Sequence, residues 1–241
     1  MSIFKNFEEK YTPKTIADIV YADDETKTRI EDLVSGAKPF PIREGKCGIL
    51  LYGIPGTGKS ALAKLLPDAM EQARTGNPNS SNMHYVRVQQ GSNGLNTLAA
   101  ISNQAMLIPF ASQHYFVLDE VDNLNAQAML TLKSVMNTPN CVFIMTTNYF
   151  KQIEVGVRSR CHCFEFNAAP AAHWLPLAQR ILGDTGIAGV SDTALLNVIQ
   201  QGKGSARDII DGIQDLVLRV YRNNTAVITA PTVLANASSR P

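Results

Sequence analysis

The eight residues from position 53 to position 60 read Gly53-Ile54-Pro55-Gly56-Thr57-Gly58-Lys59-Ser60. An apolar run at 48–52 comes directly before them, and a run typical of a helix follows at 61–66. A strand, a glycine-rich turn and a helix start are the context in which this pattern forms a phosphate-binding loop. The glycines let successive backbone N–H groups point into one concavity, and the helix adds the positive end of its dipole. The sequence therefore predicts a site for a nucleoside triphosphate.

Particular side chains of this loop have expected roles. In a phosphate-binding loop the lysine reaches the β- and γ-phosphates, and the next hydroxyl is a ligand of Mg²⁺. We therefore expect Lys59 to contact ATP and Ser60 to bind Mg²⁺. The residues expected to surround the nucleotide are Pro55, Gly56, Thr57, Gly58, Lys59, Ser60 and Ala61. A chance glycine-rich turn is the alternative, and the complete pattern in its full context argues against it.

Composition sets broad limits on the protein. The chain has 241 residues, of which 45% are hydrophobic and 18% charged, so it can bury a sizeable core. A formal net charge of +1 gives no global electrostatic argument for nucleic acid or for a membrane. Residues 1–10 lack the apolar region of a signal peptide, and no run reaches transmembrane length. We expect a reduced, cytoplasmic protein, because two of its four cysteines, Cys47 and Cys141, open apolar runs.

The tripeptide Cys161-His162-Cys163 could indicate a metal site. On a strand, however, His162 would face away from the two cysteines, because successive side chains point to opposite faces. The three side chains then cannot converge on one ion, and we expect no metal there.

The pattern of apolar runs predicts an α/β fold with two parts. Buried strands alternate with helices up to residue 166, which predicts a parallel sheet covered on both faces. Residues 167–241 read as helices alone, which predicts a small all-α lid domain. Pro67 falls within the helix after the phosphate loop, where we expect a kink or an early end near Leu66.

Polar residues end two of the predicted strands. Asp119 and Glu120 end an apolar strand at 114–118, and Asn148 follows another at 141–145. Ligands sit at the carboxyl ends of strands in an open parallel sheet, so these residues should lie beside the phosphates. Asp119 suits the Mg²⁺ shell, Glu120 suits activation of a water, and the Asn148 amide could hold that water or a γ-phosphate oxygen. Helix capping and ordinary turn chemistry are the alternatives.

The order of these parts resembles the AAA+ ATPases, and within them the clamp-loader branch. That branch comprises the small subunits of replication factor C and their phage and bacterial relatives. The matching segments are Glu9-Lys10-Tyr11-Thr12-Pro13-Lys14-Thr15-Ile16-Ala17-Asp18-Ile19-Val20, Asp119-Glu120-Val121-Asp122-Asn123-Leu124, Thr147-Asn148-Tyr149 and Val157-Arg158-Ser159-Arg160-Cys161. The resemblance covers nearly the whole chain. It implies an AAA+ core at 1–166 and a helical lid at 167–241.

The resemblance also implies roles for single residues. Tyr11, Pro13 and Val20 would line the adenine pocket, and Asn148 would sense the γ-phosphate. Arg160 would be an arginine finger that reaches the γ-phosphate bound by a neighbouring subunit. Arg207 would contact nucleotide from the lid. The alternatives are a solvated surface residue for Arg160 and a plain helix-surface arginine for Arg207.

The function implied is an ATP-hydrolysing switch in DNA replication that works as a ring or spiral, homo- or hetero-oligomeric. Its implied cofactors are ATP and Mg²⁺, and its implied partners are primed or double-stranded DNA and a sliding clamp, with no membrane. The sequence departs from the family in two respects. The sequence ends where the lid ends, before any C-terminal helical collar, so it is either part of a longer chain or a protein that assembles differently. It also has no Lys or Arg between Arg87 and Lys133, where DNA contacts would begin.

Two other functions remain open from the sequence. One is an AAA+ ATPase that remodels a protein partner and loads no clamp, which the two departures favour. The other is a nucleotide-binding scaffold without turnover. The presence of Glu120, Asn148 and Arg160 argues against the scaffold.

Overall fold

The computed structural model describes residues 7–42, 45–77, 81–89 and 94–228. It contains one five-stranded sheet in the order β2-β3-β4-β1-β5, with every pair of neighbours parallel. The strands are β1 (Gly48–Tyr52), β2 (His84–Arg87), β3 (His114–Asp119), β4 (Cys141–Thr147) and β5 (Cys161–Glu165). The predicted α/β class with its parallel sheet is confirmed.

Nine α-helices lie in the described part of the chain. Those that precede or alternate with the strands are α1 (Phe7–Tyr11), α2 (Asp24–Ser35), α3 (Lys59–Thr75), α4 (Leu95–Ala105), α5 (Ala126–Val135) and α6 (Val155–Ser159). Those that follow the sheet are α7 (Ala171–Thr185), α8 (Asp192–Gln201) and α9 (Ala206–Ile228). Short 3₁₀ turns occur at Ile16–Asp18, Val121–Asn123 and Phe150–Gln152. Among the described helices, none has both the length and the apolar character needed to cross a bilayer.

The central strands β1, β3 and β4 are buried along almost their whole length because helices cover both faces of the sheet. Successive residues of one strand enter different clusters: Leu50 packs with Phe116 in one core, and Ile49 packs with Val117 in the other. Strand β2, at the sheet edge, alternates between half-buried and exposed positions. Since all strands run the same way, their carboxyl ends share one edge of the sheet.

Helices α7, α8 and α9 surround a third apolar cluster that includes Trp174, Leu195 and Ile213. Phe7 and Tyr11 of α1 belong to the same cluster, so the start of the chain packs against the lid helices. The predicted helical lid is therefore confirmed within the described residues. The division at 166/167 stays a prediction, and residues 1–6 and 229–241 lie outside the described part.

The expected early end of α3 near Leu66 is wrong, because the helix continues through Pro67 to Thr75. Proline in a helix interior costs about 3 kcal/mol. Leu66 and Met70, on either side of it, are fully buried in the core beneath α3. Burial of each such side chain contributes roughly 1.5–3 kcal/mol, which offsets the cost of the missing hydrogen bond.

The Cys161-His162-Cys163 strand has the alternation expected of it. Cys161 lies in the core with Phe116, whereas the His162 ring packs edge-on against Phe40, 5.6 Å away between centroids, on the other face. Burial lowers the pKa of His162 to about 4, so the ring is neutral at physiological pH. Within the described residues, no three potential metal ligands come together.

Candidate nucleotide site

A cavity of about 540 Å³ lies where the phosphate loop, the carboxyl ends of the strands and the start of α9 meet. The loop contributes Pro55, Gly56, Gly58, Lys59, Ser60 and Ala61 to its walls. The predicted residues Pro13, Glu120, Asn148 and Arg207 also line it. The structure thus brings together predicted residues as distant in sequence as Pro13 and Arg207, which are 194 positions apart.

The loop backbone needs glycine at two positions in particular. Gly53 has φ +140°, and a Cβ there would lie 2.6 Å from the Phe166 carbonyl oxygen. Gly56 has φ +85°, and its Cβ would lie 2.7 Å from the Ser205 hydroxyl. These contacts leave no room for a side chain, so the loop can lie against β5 and the lid only with glycine there.

Thr57 is the one loop residue expected at the nucleotide whose side chain lies outside the cavity lining of the described chain. Its buried hydroxyl donates to the carbonyl oxygens of Ile54, at 3.1 Å, and Phe166, at 2.9 Å. The Thr57 side chain therefore fastens the loop to the segment that follows β5.

Lys59 is 7% exposed, and its ammonium group is held by the loop itself. Its Nζ donates to the carbonyl oxygens of Gly53, at 3.0 Å, and Ile54, at 2.5 Å. Burial lowers the pKa of Lys59 to about 8, an effect that the nearby carboxylates of Asp119 and Asp122 oppose. A buried cation with only carbonyl partners fits a ligand that carries negative charge.

Ser60 and Asp119 are joined by a hydrogen bond, in which the serine hydroxyl donates to Oδ1 at 2.8 Å. Asp119 also accepts bonds from the Thr146 hydroxyl and, at 3.0 Å, from the Tyr85 hydroxyl. Burial acts to raise the pKa of Asp119, but the bonds from Thr146, Ser60 and Tyr85 outweigh it and lower the pKa. A hydroxyl beside an ionised carboxylate is a donor set that suits Mg²⁺, whose shell water and phosphates complete.

Glu120 is held at the cavity wall by its backbone and by its side chain. Its φ is +60°, and its N–H donates to the Thr146 hydroxyl at 3.0 Å. Arg87 Nη2 lies 2.7 Å from one carboxylate oxygen, and Arg87 Nε lies 3.1 Å from the other. Glu120 precedes a 3₁₀ turn, but its side chain makes no capping bond to that turn. The helix-cap alternative therefore has no support from this side chain.

The lid reaches the phosphate loop through the first residues of α9. The Ala206 N–H donates to the Gly56 carbonyl oxygen at 2.8 Å, and Arg207 follows in the cavity wall. Asn148, at the end of β4, lines the same cavity. Both residues therefore lie where a nucleotide in this cavity would meet them.

Of the three residues expected around adenine, only Pro13 lines the cavity in the part of the chain that the structure describes. Pro13 lines the cavity, whereas Tyr11 is buried beside the lid helices and donates from its hydroxyl to Asp184 at 3.3 Å. Val20 lines a separate hollow of about 460 Å³ together with His173 and Arg180. The placement of Tyr11 and Val20 thus gives no direct contact with the cavity.

Arg160 lies at the amino ends of the strands, whereas the phosphate loop lies at their carboxyl ends. Its carbonyl oxygen accepts the N–H groups of Cys47 and Gly48, both at 3.0 Å, at the start of β1. The loop follows the other end of β1, and Arg160 is not part of the cavity wall of the described chain. Arg160 is therefore remote from the phosphate loop of its own chain.

Sequence reasoning missed several residues of the cavity. They include Arg87, Thr146, Thr147, Asp208, Asp211 and Gln214. Arg87 ends β2 next to Asp119 in the register, so the strand-end rule that identified Glu120 could have identified it. The α9 residues had a weaker signal, namely their spacing of three or four positions along the helix that starts at the lid contact.

These features form a candidate nucleotide site, with a phosphate-binding loop at the carboxyl ends of a parallel sheet. Residues 49–168 match the sequence model of the family described as "ATPase family associated with various cellular activities (AAA)". That segment begins within β1 and ends just after β5, so the match covers the sheet and the phosphate loop.

Curated proteins that are similar in sequence to this chain include replication factor C subunits. Replication factor C subunit 4 of Caenorhabditis elegans is 28% identical over 218 residues, covering 86% of this chain and 61% of the relative. The replication factor C small subunit of Thermofilum pendens is 28% identical over 212 residues, with 86% and 61% covered. The predicted resemblance to replication factor C subunits is confirmed. The chain spans about three fifths of the length of these relatives.

Solved structures agree at the level of the fold. A structure of Thermotoga maritima RuvB superposes with a TM-score of 0.65 at 18% identity, covering 90% of this chain and 67% of the other. At this identity the likeness concerns the fold alone.

Proposed function

We propose that this chain is an ATP-hydrolysing AAA+ switch that acts in DNA replication as a clamp-loader subunit, in a ring or spiral oligomer. The observation that carries the proposal is the joint placement of Lys59, Glu120 and Asn148 on one cavity. The relatives named replication factor C supply the process. We propose with it that residues 1–166 form the ATPase core and residues 167–241 the lid domain.

The residues of the site divide the work of hydrolysis. Lys59 and the loop N–H groups hold the β- and γ-phosphates, while Ser60 and Asp119 would hold Mg²⁺. The bound ion would neutralise charge on the phosphate oxygens. Glu120 accepts the proton of the attacking water, and the Asn148 amide orients that water. Arg207 contacts the nucleotide from the lid.

Glu120 in this structure is engaged by Arg87 through both carboxylate oxygens. The two hydrogen bonds from Arg87 occupy both oxygens that would otherwise accept the proton of a water. Water activation therefore requires Glu120 to leave Arg87. Whatever moves Arg87 controls the rate of hydrolysis.

An exposed apolar segment supports the proposal that the chain binds a protein partner. The segment 106–110 carries Met106, Leu107, Ile108 and Phe110, which are 77%, 60%, 90% and 92% exposed. Such a concentration of large apolar side chains on a surface marks an interaction site. His114 holds the Leu107 carbonyl oxygen at 2.9 Å, so the segment has a fixed base. We assign it to the sliding clamp that the resemblance implies.

The case for DNA is weaker on electrostatic grounds. Lys133, the basic residue that ends the stretch without Lys or Arg, has its Nζ 3.5 Å from a carboxylate oxygen of Glu154. The ion pair with Glu154 neutralises much of the Lys133 charge, which would otherwise attract a DNA phosphate. The second candidate function, remodelling of a protein partner without a clamp, is favoured by this pairing together with the apolar segment.

Stimulation of ATP hydrolysis distinguishes the two functions. The rate should be measured with a primed single-stranded template, with and without its sliding clamp, at low salt. The proposal predicts a several-fold rise with template and clamp together, and a loss of that rise as salt increases. A hydrolysis rate that neither the template nor the clamp changes at low salt would favour protein remodelling instead. Glu120→Gln serves as the control for contaminating ATPases.

A further inference from the structure

The Arg160 guanidinium is held by neutral acceptors. Its Nε donates to Asn137 Oδ1 at 2.9 Å, and its Nη1 donates to the Gly156 carbonyl oxygen at 2.8 Å. In the stretches that the structure describes, no carboxylate lies within ion-pair distance of it. The group is therefore oriented while its full positive charge stays available.

We propose that Asn137 is a positioning residue for Arg160, and that it aims the guanidinium at the γ-phosphate of a neighbouring subunit. This inference rests on the proposed function, in which Arg160 acts across a subunit boundary. Two bonds to one planar group fix both its plane and its rotation within that plane. The remaining N–H groups of the guanidinium then face away from Asn137 and Gly156.

The backbones of Asn137 and Arg160 are both held by hydrogen bonds, so the direction of the Arg160 guanidinium is well defined. The Asn137 N–H donates to the Ser134 carbonyl oxygen at 3.1 Å in the turn that ends α5, directly after the buried Met136. The backbone of Arg160 is bonded at its N–H to Val157 and at its carbonyl oxygen to the start of β1. The two side chains therefore meet between the end of α5 and the start of β5.

An amide is suited to this role, whereas a carboxylate is not. A carboxylate at position 137 would orient the guanidinium equally well, but it would form an ion pair and neutralise the charge that must meet the phosphate. An alanine would leave the guanidinium with only its bond to the Gly156 carbonyl oxygen, which does not fix its orientation alone. Asn137→Asp and Asn137→Ala should therefore both lower turnover, for different reasons.

The test uses two full-length variants that are inactive alone. Lys59→Ala cannot bind ATP but carries an intact finger, whereas Arg160→Ala binds ATP but lacks the finger. Where a Lys59→Ala subunit presents Arg160 to an Arg160→Ala neighbour, one competent site is rebuilt. ATP hydrolysis by the mixture should therefore recover in part and rise with total concentration, because assembly is required.

Asn137→Ala is then added to one partner at a time. On the Lys59→Ala partner it should lower the recovered kcat about tenfold with little change in KM, the loss expected for one bond to a charged group. On the Arg160→Ala partner it should change nothing, because that subunit has no finger to position. Asn137→Gln on the Lys59→Ala partner, which keeps the amide, should lose less than Asn137→Ala.

The outcomes separate this inference from the proposed function. Full recovery with Asn137→Ala on the finger-bearing partner would overturn the positioning role and leave the trans finger standing. Equal losses on both partners would show that Asn137 is needed for folding or assembly instead. No recovery in the parent mixture, once assembly is confirmed by mass, would overturn the trans finger and this inference together.

Discussion

At the scale of single residues, the two side chains to which the proposal gives the main roles in hydrolysis are both held within the chain. Lys59 donates to carbonyl oxygens of its own loop, and Glu120 accepts both bonds of the Arg87 fork. A nucleotide must replace the partners of Lys59, and Glu120 must leave Arg87 before it can act as a base. Each requirement has a measurable consequence.

Nucleotide binding should be accompanied by proton uptake at alkaline pH. The folded pKa of Lys59 is about 8, below its ordinary value of 10.5, so at pH 8.5 most of the unliganded chains carry a neutral Lys59. Phosphates favour the charged form and raise this pKa, so binding takes up most of a proton at pH 8.5 and little at pH 7.

Titration calorimetry in buffers of different ionisation enthalpy measures that proton. Lys59→Arg provides the control, since arginine stays charged throughout this range and should bind without uptake at position 59. Binding at pH 8.5 without any uptake by the unmodified chain would show that Lys59 is already protonated or does not meet the phosphates.

Arg87→Ala should raise the basal rate of ATP hydrolysis by a few-fold. It removes the guanidinium that engages both oxygens of Glu120 and leaves the carboxylate free to accept a proton. Steady-state ATPase assays compare it with Arg219→Ala, which removes an exposed arginine that lies outside the cavity wall described here. A lower rate in Arg87→Ala alone would mean that Arg87 supports hydrolysis and does not restrain it.

At the scale of elements, local patterns predicted what local physics controls. The apolar runs at 48–52, 114–118 and 141–145 predicted three of the strands to within two residues at each end, because burial on both faces demands continuous apolar sequence. The strand-end rule predicted Glu120 and Asn148 at the cavity. The passage of α3 through Pro67 could not be predicted, because it depends on the core beneath the helix.

Contacts between distant segments were likewise beyond the sequence. The bond between Arg87 and Glu120 joins neighbouring strands, and no local pattern states which strands are neighbours. Tyr11 was assigned to adenine by resemblance, yet its ring packs with lid helices more than 160 positions away. Such contacts depend on the packing of whole elements.

The segment 106–110 should bind a protein partner without affecting the nucleotide. The double variant Ile108→Ser and Phe110→Ser removes two side chains that are almost fully exposed, so folding stability should change little. Affinity for the sliding clamp, measured by titration, should fall at least tenfold while ATP affinity is kept. Val155→Ser, another exposed apolar residue, is the control. Unchanged clamp affinity would place the contact elsewhere.

Gly56→Ala should disturb the contact between the phosphate loop and the lid. Its Cβ would lie 2.7 Å from the Ser205 hydroxyl, so α9 must move away from the loop, and ATP affinity should fall. Gly76→Ala is a matched control, with a similar φ of +76° and nothing within 4 Å of its Cβ. Both should lose about 1–2 kcal/mol of stability from backbone strain. Equal ATP affinity in the two would show that the lid contact does not matter for binding.

At the scale of the whole molecule, the functional groups are divided between the two edges of the sheet. The cavity lies at the carboxyl ends of the strands, whereas Arg160 lies at the start of β1 and β5. A finger so placed can meet a phosphate only if a second chain brings its cavity to that edge. Assembly follows as a requirement of the proposed mechanism, and turnover should depend on it.

The central claim is that this cavity hydrolyses ATP with Glu120 as the base. The most direct measurement compares ATP binding and steady-state turnover in the unmodified chain and in Glu120→Gln, at the same concentration. The account predicts equal ATP affinity and a rate lowered about 10²–10⁴-fold in the variant, because the amide keeps the shape and loses the basicity. Turnover by Glu120→Gln at the rate of the unmodified chain would contradict the account.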